Sequence, residues 1–206
     1  MRLPSPPLLV ITDRKMARRP LGEVVEAVFE GGCRWLMLRE KDLTENALAD
    51  LVHEVVALAW PFRARVSVNG HAEVATECGA GGVHLPQGFS VATARRAIGD
   101  STLLGVSAHS ADEARSAAAS GAEYVTLSPI FPTKSKPGYG PALGTEGLRR
   151  VVSTVAIPVV ALGGVTPVTS AACLGAGAAG VAVMGAVMRA DDPASAVAEL
   201  VTALSR

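Results

Sequence analysis

The chain has 206 residues, of which 49% are apolar and 18% charged. That is the size of one domain with ample material for a buried core, and it excludes global disorder. The 19 Lys and Arg residues balance the 19 Asp and Glu residues, so the electrostatic footprint of a general nucleic-acid binder is absent.

The three cysteines, Cys33, Cys78 and Cys173, stand far apart with no CxxC pair. This argues against a disulfide framework or structural zinc and fits a reducing cytoplasm. The apolar run at 8–11 is too short for a signal-peptide core, and no stretch reaches the roughly 20 apolar residues of a membrane span. The oligomeric state is left open, a homo-oligomer included.

In chain order, short β-branched runs predict strands at 8–12, 35–39, 65–69, 82–85, 103–107, 124–127, 158–162 and 181–184. Helical spacing of apolar residues lies between them, as in Leu21, Val24, Val25 and Val28 and again in Leu48, Leu51, Val55 and Leu58. This alternation predicts parallel βα units. Four of the strands share a local signature that opens on a glycine suited to end a helix: Gly32, Gly79, Gly121 and Gly177. These are the second, fourth, sixth and eighth strands. The recurrence to the end of the chain predicts a single (β/α)8 barrel domain over 1–206, rather than an open doubly wound sheet. In such a barrel alternate strands fill the interior in layers of four. Met37, His84, Thr126 and Ala182 form one expected layer. Two residues on, Arg39, Pro86, Ser128 and Met184 ring the C-terminal mouth, where barrel active sites lie.

The candidate residues follow from that mouth. Arg39 and Lys41 point the same way at the end of the second strand, a fork and a point charge for an anion. Ser107 and His109 end the fifth strand, and an imidazole is the side chain best suited to proton transfer near neutral pH. Ser110 reads as the next helix's N-cap, with Glu113 completing a capping box. His84 reads as a hydrogen-bonded interior residue. The long segment at 128–144 carries Thr133, Lys134, Ser135 and Lys136 among glycines, the composition of a lid over phosphate. Gly163 and Gly164 after the seventh strand, with Met184 and Gly185 after the eighth, sit where barrels often bind phosphate through backbone amides. Gly70 and Phe89 occupy the ends of the third and fourth strands, so no acidic cluster is at hand for a magnesium ion, which wants carboxylates.

VITDR (10–14), LREK (38–41), GVHLPQ (82–87), GVSAHS (105–110), SPIFPTKSK (128–136) and ALGGV (161–165) resemble, in order and over nearly the whole chain, the thiamine phosphate synthase family. That family includes the thiazole tautomerase (TenI-like) branch. The resemblance implies a phosphate-binding eight-stranded barrel that makes the thiazole half of thiamine or joins it to the pyrimidine half. It assigns substrate contacts to Arg39, Lys41, Asn69, Ser107, Thr133, Ser135, Lys136, Gly163, Gly164, Met184 and Gly185.

The departures from the family pattern bear on one task. Met37 replaces the usual glutamine of the strand-2 motif. Gly70 and Phe89 replace the two aspartates that in the synthase hold magnesium against the pyrimidine diphosphate. A diphosphate leaving group needs its developing charge neutralised, and a proton shift does not. The resemblance therefore implies a metal-independent, cofactor-free thiazole tautomerase with His109 as the proton shuttle, in an apolar mouth lined by Met37 and Phe89. The alternative is a thiamine phosphate synthase using Mg²⁺ held by Glu40, Asp42 or another acid. A third reading, of another class, is a non-catalytic thiazole phosphate sensor.

Overall fold

The computed structural model describes residues 2–133 and 141–205. Eight short parallel strands close on themselves: β1 (Leu8–Ile11), β2 (Trp35–Leu38), β3 (Arg65–Asn69), β4 (Gly82–Leu85), β5 (Leu103–Ala108), β6 (Tyr124–Leu127), β7 (Val159–Leu162) and β8 (Gly180–Val183), each paired with its sequence neighbours and β8 with β1. The helices are α1 (Leu21–Glu30), α2 (Glu45–Ala59), α3 (Ala72–Glu77), α4 (Val91–Ile98), α5 (Ala111–Ala119), α6 (Gly144–Val152), α7 (Pro167–Gly175), a four-residue α8 (Gly185–Met188) and α9 (Pro193–Leu204). The chain is a single compact (β/α)8 barrel, as the repeated glycine signature predicts.

Local chemistry sets the helix starts. Thr44, Ser90, Ser110, Thr166 and Asp192 each accept a backbone N–H of the following first turn through the side chain. Pro167 and Pro193 stand at the first helical positions of α7 and α9, where a missing N–H costs nothing. The inward faces bury Val24, Val25, Val28 and Phe29 from α1 and Leu48, Val52 and Val55 from α2 against the outer face of the strands.

The strand ends differ by a residue or so from the pattern-based bounds, for reasons visible in the bonding. β2 stops at Leu38 because the Arg39 amide donates to the Thr12 hydroxyl (3.1 Å) instead of a strand carbonyl. β5 runs on to Ala108, whose carbonyl accepts the Ser128 amide (3.1 Å).

A second apolar cluster fills the barrel interior: Leu9, Ile11, Trp35, Met37, Leu103, Tyr124, Val160 and Ala182. The expected layer is there, with Met37, His84, Thr126 and Ala182 all buried. Small residues make room for large ones. A Cβ on Gly105 would fall inside the Tyr124 ring, and one on Gly82 would strike the Ser67 hydroxyl. Tyr124 in turn meets Trp35 edge-on, with centroids 4.9 Å apart. The packed interior closes the barrel from below and leaves one face for chemistry, the C-terminal mouth.

Candidate active site

A cavity of about 440 Å³ opens at that mouth. Arg39 and Lys41 after β2, Asn69 at the end of β3, Ser107 in β5, His109 after it and Thr133 after β6 line it. Gly163 and Gly164 after β7, and Met184 and Gly185 at β8, complete that wall. These residues come from six strand ends, and the ring expected from the alternation of side chains, Arg39, Pro86, Ser128 and Met184, lies in the same wall. Ser135 and Lys136, with Lys134, lie outside the described residues.

A larger depression of about 700 Å³ lies at the opposite end, around Trp60, Arg63 and Gly79. Among the described residues its wall holds no imidazole, hydroxyl or carboxylate, whereas the mouth cavity holds His109, Ser107 and Thr133.

Among the described residues, the His109 ring Nδ1 stands 2.8 Å from the Ser128 carbonyl and 3.3 Å from the Ser128 hydroxyl, and the His109 backbone amide donates to the Glu113 carboxylate at 2.7 Å. A carbonyl can only accept, so Nδ1 carries the hydrogen in the neutral ring and Nε2 is the atom that takes up a proton. The Ser110 hydroxyl accepts the Glu113 amide as expected of an N-cap. The capping box does not close, however: the Glu113 side chain reaches one residue further back, to His109 rather than to Ser110. The acid that sequence spacing assigned to the helix end therefore anchors the imidazole's own backbone.

The acids beside the mouth are committed to structure. Glu40 is buried and accepts from the Thr12 hydroxyl (2.7 Å), the Arg14 amide (3.1 Å) and the Arg14 guanidinium (3.3 Å). Asp42 pairs with Arg14 (2.7 Å) and Lys15 (2.9 Å), and hydrogen bonds from those two side chains hold its carboxyl far below the usual carboxylate range. Among the described residues no group of three or more His, Cys, Asp or Glu gathers to hold a metal. The residues at this mouth therefore do not fit a magnesium site: Gly70 and Phe89 offer no carboxylate, and Glu40 and Asp42 already have partners. This removes Glu40 and Asp42 as the ligands suggested for the synthase alternative. Phe89 also departs from expectation. It is 54% exposed and is not in the cavity wall, while Met37 lies wholly inside the barrel, so neither makes the mouth apolar as the sequence suggested.

The paired glycines have a packing reason besides any ligand. Gly163 and Gly164 both have positive φ (97° and 65°). A Cβ on Gly164 would lie 2.5 Å from the Pro132 carbonyl oxygen. The stretch after β6 is hydrogen-bonded onto this turn, Ile130 amide to Leu162 carbonyl and Phe131 amide to Gly163 carbonyl, both 2.9 Å. Loop 6 is thereby clamped to loop 7, which delivers Thr133 to the cavity.

Arg189, at the end of α8, is a mouth residue that the sequence reading missed. A Cβ on Gly185 would collide with its guanidinium, so Gly185 leaves the space that Arg189 occupies. A basic residue one helical turn after a glycine-ended strand was the available signal.

The closed eight-stranded parallel barrel, with a cavity at its C-terminal mouth, places the chain among the (β/α)8-barrel proteins. Within that class it belongs to the thiamine monophosphate synthase family, whose model matches residues 8–187. The chain is 41% identical over 188 residues to a putative thiamine-phosphate synthase of Geobacter sulfurreducens, covering 90% of this chain and 88% of that one. It is 39% identical to the thiamine-phosphate synthase of Salinispora tropica, covering 96% and 97%. The solved thiamine phosphate pyrophosphorylase from Pyrococcus furiosus superposes with a TM-score of 0.87 at 32% identity, covering 96% and 95%. Among the described residues no helix is long and apolar enough to cross a membrane.

Proposed function

We propose that this chain is an enzyme of thiamine biosynthesis that acts on thiazole phosphate, and that its reaction is a metal-independent tautomerisation. The observation that carries this reading is the His109 ring, held with Nδ1 on the Ser128 carbonyl in the wall of a cavity whose neighbouring acids are engaged elsewhere. A tautomerase needs one group that takes a proton from the non-aromatic ring carbon of a dihydrothiazole and returns it at the other end of the conjugated system. His109 Nε2 serves both halves, and the ring ends as it began, so protons balance. The gain of aromaticity drives the shift.

The substrate carries two anions, and the cavity wall offers a place for each: a pair of cations on one side, and backbone amides with one arginine on the other. Arg39 and Lys41 receive the carboxylate. The first amides of α8, next to Gly163, Gly164 and Met184–Gly185, receive the phosphate, with Arg189 beside them. Asn69, Ser107 and Thr133 supply neutral hydrogen bonds along the wall, and Ser135 and Lys136 are assigned to the loop that follows Thr133. No cofactor enters this scheme, and no nucleic acid or membrane partner.

A second reading is favoured by the names of the relatives: coupling of a pyrimidine diphosphate to thiazole phosphate with release of pyrophosphate. It would require magnesium, and because the residues present do not fit that ion, no step is routed through it. The test is turnover of the dihydrothiazole carboxylate phosphate by purified protein, followed by the absorbance of the aromatic product. Removing a general acid–base of this kind costs about 10²–10⁴ in rate, and His109→Asn should fall in that range. A wild-type rate in His109→Asn ends the assignment.

A further inference from the structure

A line of polar groups runs from the barrel floor to the mouth, and only its last member, Ser107, touches the reaction scheme above. Tyr124 is buried at the start of β6, its ring lying where a side chain at Gly105 would be. Its hydroxyl stands 3.0 Å from His84 Nδ1. His84, buried on β4, has its Nε2 3.0 Å from the Ser107 hydroxyl and 3.3 Å from that of Thr126. Ser107 lines the cavity.

Counting hydrogens fixes the direction of this chain. A phenol has one hydrogen, and His84 Nδ1 is the hydrogen-bond partner of the Tyr124 hydroxyl among the described residues. If Nδ1 held the hydrogen, the phenol proton would be buried facing another donor. The phenol therefore donates to Nδ1. A neutral imidazole has one hydrogen, which must then sit on Nε2; of the two hydroxyls it faces, the Ser107 oxygen is the nearer acceptor, at 3.0 Å against 3.3 Å for Thr126. Burial, reinforced by the positive charge of Arg39, keeps the ring neutral and pushes its pKa down to about 3. Ser107 accepts from behind, so its own hydrogen is directed elsewhere, and the cavity is the open side.

We propose that Tyr124 and His84 are positioning residues that aim the hydrogen of the Ser107 hydroxyl at the substrate. The group that takes this hydrogen is an acceptor, a carboxylate or phosphoryl oxygen. This deepens the reading that the mouth binds an anionic thiazole, and it rests on that reading for the identity of the ligand only.

The relay itself is tested without ligand. Long-range proton–nitrogen correlation spectra of the ¹⁵N-labelled full chain report which ring nitrogen of His84 carries hydrogen. The expected pattern at neutral pH is a bare Nδ1 and a protonated Nε2, and Tyr124→Phe should abolish that single pattern. A protonated Nδ1 in the wild type overturns the proposal. The consequence is read by calorimetric titration with thiazole phosphate. Ser107→Ala and Tyr124→Phe should each weaken binding by about 5-fold, the worth of one neutral hydrogen bond. The double variant should bind no worse than Ser107→Ala, because both act through one contact. Multiplying effects in the double variant would mean that Tyr124 acts through packing alone, which contradicts the relay. Should the wild type bind no thiazole phosphate, the ligand assignment fails while the spectra still decide the relay.

Discussion

Glu40→Ala offers a quantitative test of the claim that the acids at the mouth serve the scaffold. The Glu40 side chain is 2% exposed. Truncating it leaves the Thr12 hydroxyl, fully buried, without its acceptor, and the Arg14 amide, partly buried, without either carboxylate oxygen. A buried donor stranded in this way costs about 1–3 kcal/mol; with the partly buried amide at about 1, the low end of that range, the two together should cost about 2–4 kcal/mol. For a chain of this length that lowers the melting temperature by about 5–15 °C. Because the Arg39 amide hangs on the same Thr12 oxygen, the cationic side of the cavity should loosen as well.

The assay is urea unfolding of wild type, Glu40→Gln and Glu40→Ala, with the glutamine variant falling between the other two since it keeps one acceptor oxygen. The same series is then melted with and without magnesium. The reasoning is refuted if Glu40→Ala unfolds within about 0.5 kcal/mol of wild type, the range of an ordinary surface substitution. It is equally refuted if magnesium stabilises the wild type but not the variant, for then the carboxylate holds a metal.

Three other outcomes follow from the same geometry. His84 takes a proton at a pH of about 6.5 when unfolded but only at about 3 when folded, because of burial and Arg39. Between those values the unfolded chain binds more protons, so stability should fall as the pH drops, by up to about 1.4 kcal/mol per pH unit. Unfolding midpoints between pH 6.5 and 5, roughly the part of that window above the carboxylate range, should flatten in His84→Gln; an unchanged slope would assign it to other groups. Gly164→Ala forces a Cβ into a left-handed residue and against the Pro132 carbonyl. It should cost about 2–4 kcal/mol in the same unfolding experiment, and a neutral result would mean that the clamp between loops 6 and 7 yields readily. Arg189→Ala removes a charge from the proposed phosphate end and should raise the KM for thiazole phosphate substrates about 10- to 100-fold with little change in kcat; a fall in kcat alone would place the phosphate elsewhere.

The barrel was legible because its repeat is written in backbone requirements. Gly32, Gly79, Gly121 and Gly177 all have positive φ and each precedes an even-numbered strand, so the same local necessity recurs where the same turn recurs. The interior layer of Met37, His84, Thr126 and Ala182 followed from period-two alternation alone. The mouth ring was legible for the same reason: Arg39, Pro86, Ser128 and Met184 each stand two residues beyond a member of that layer.

What the sequence concealed depends on contacts between distant residues. Nothing near Glu40 announces that Thr12 and Arg14, on the preceding strand's loop, will absorb its carboxylate. Nothing in the run at 121–127 marks Tyr124 as more than a strand residue, since its role needs the hole at Gly105 and the ring of His84. Phe89 was misjudged because its side chain was placed by motif position, whereas the turn at 86–90 carries it away from the cavity into solvent.

One side-by-side incubation tests the central claim. The protein is given the dihydrothiazole carboxylate phosphate in the presence of a chelator and, separately, pyrimidine diphosphate with thiazole phosphate and magnesium. The account predicts aromatic thiazole product at a rate the chelator does not alter, and no pyrophosphate from the second mixture. Magnesium-dependent release of pyrophosphate, with the dihydrothiazole left unchanged, would contradict it.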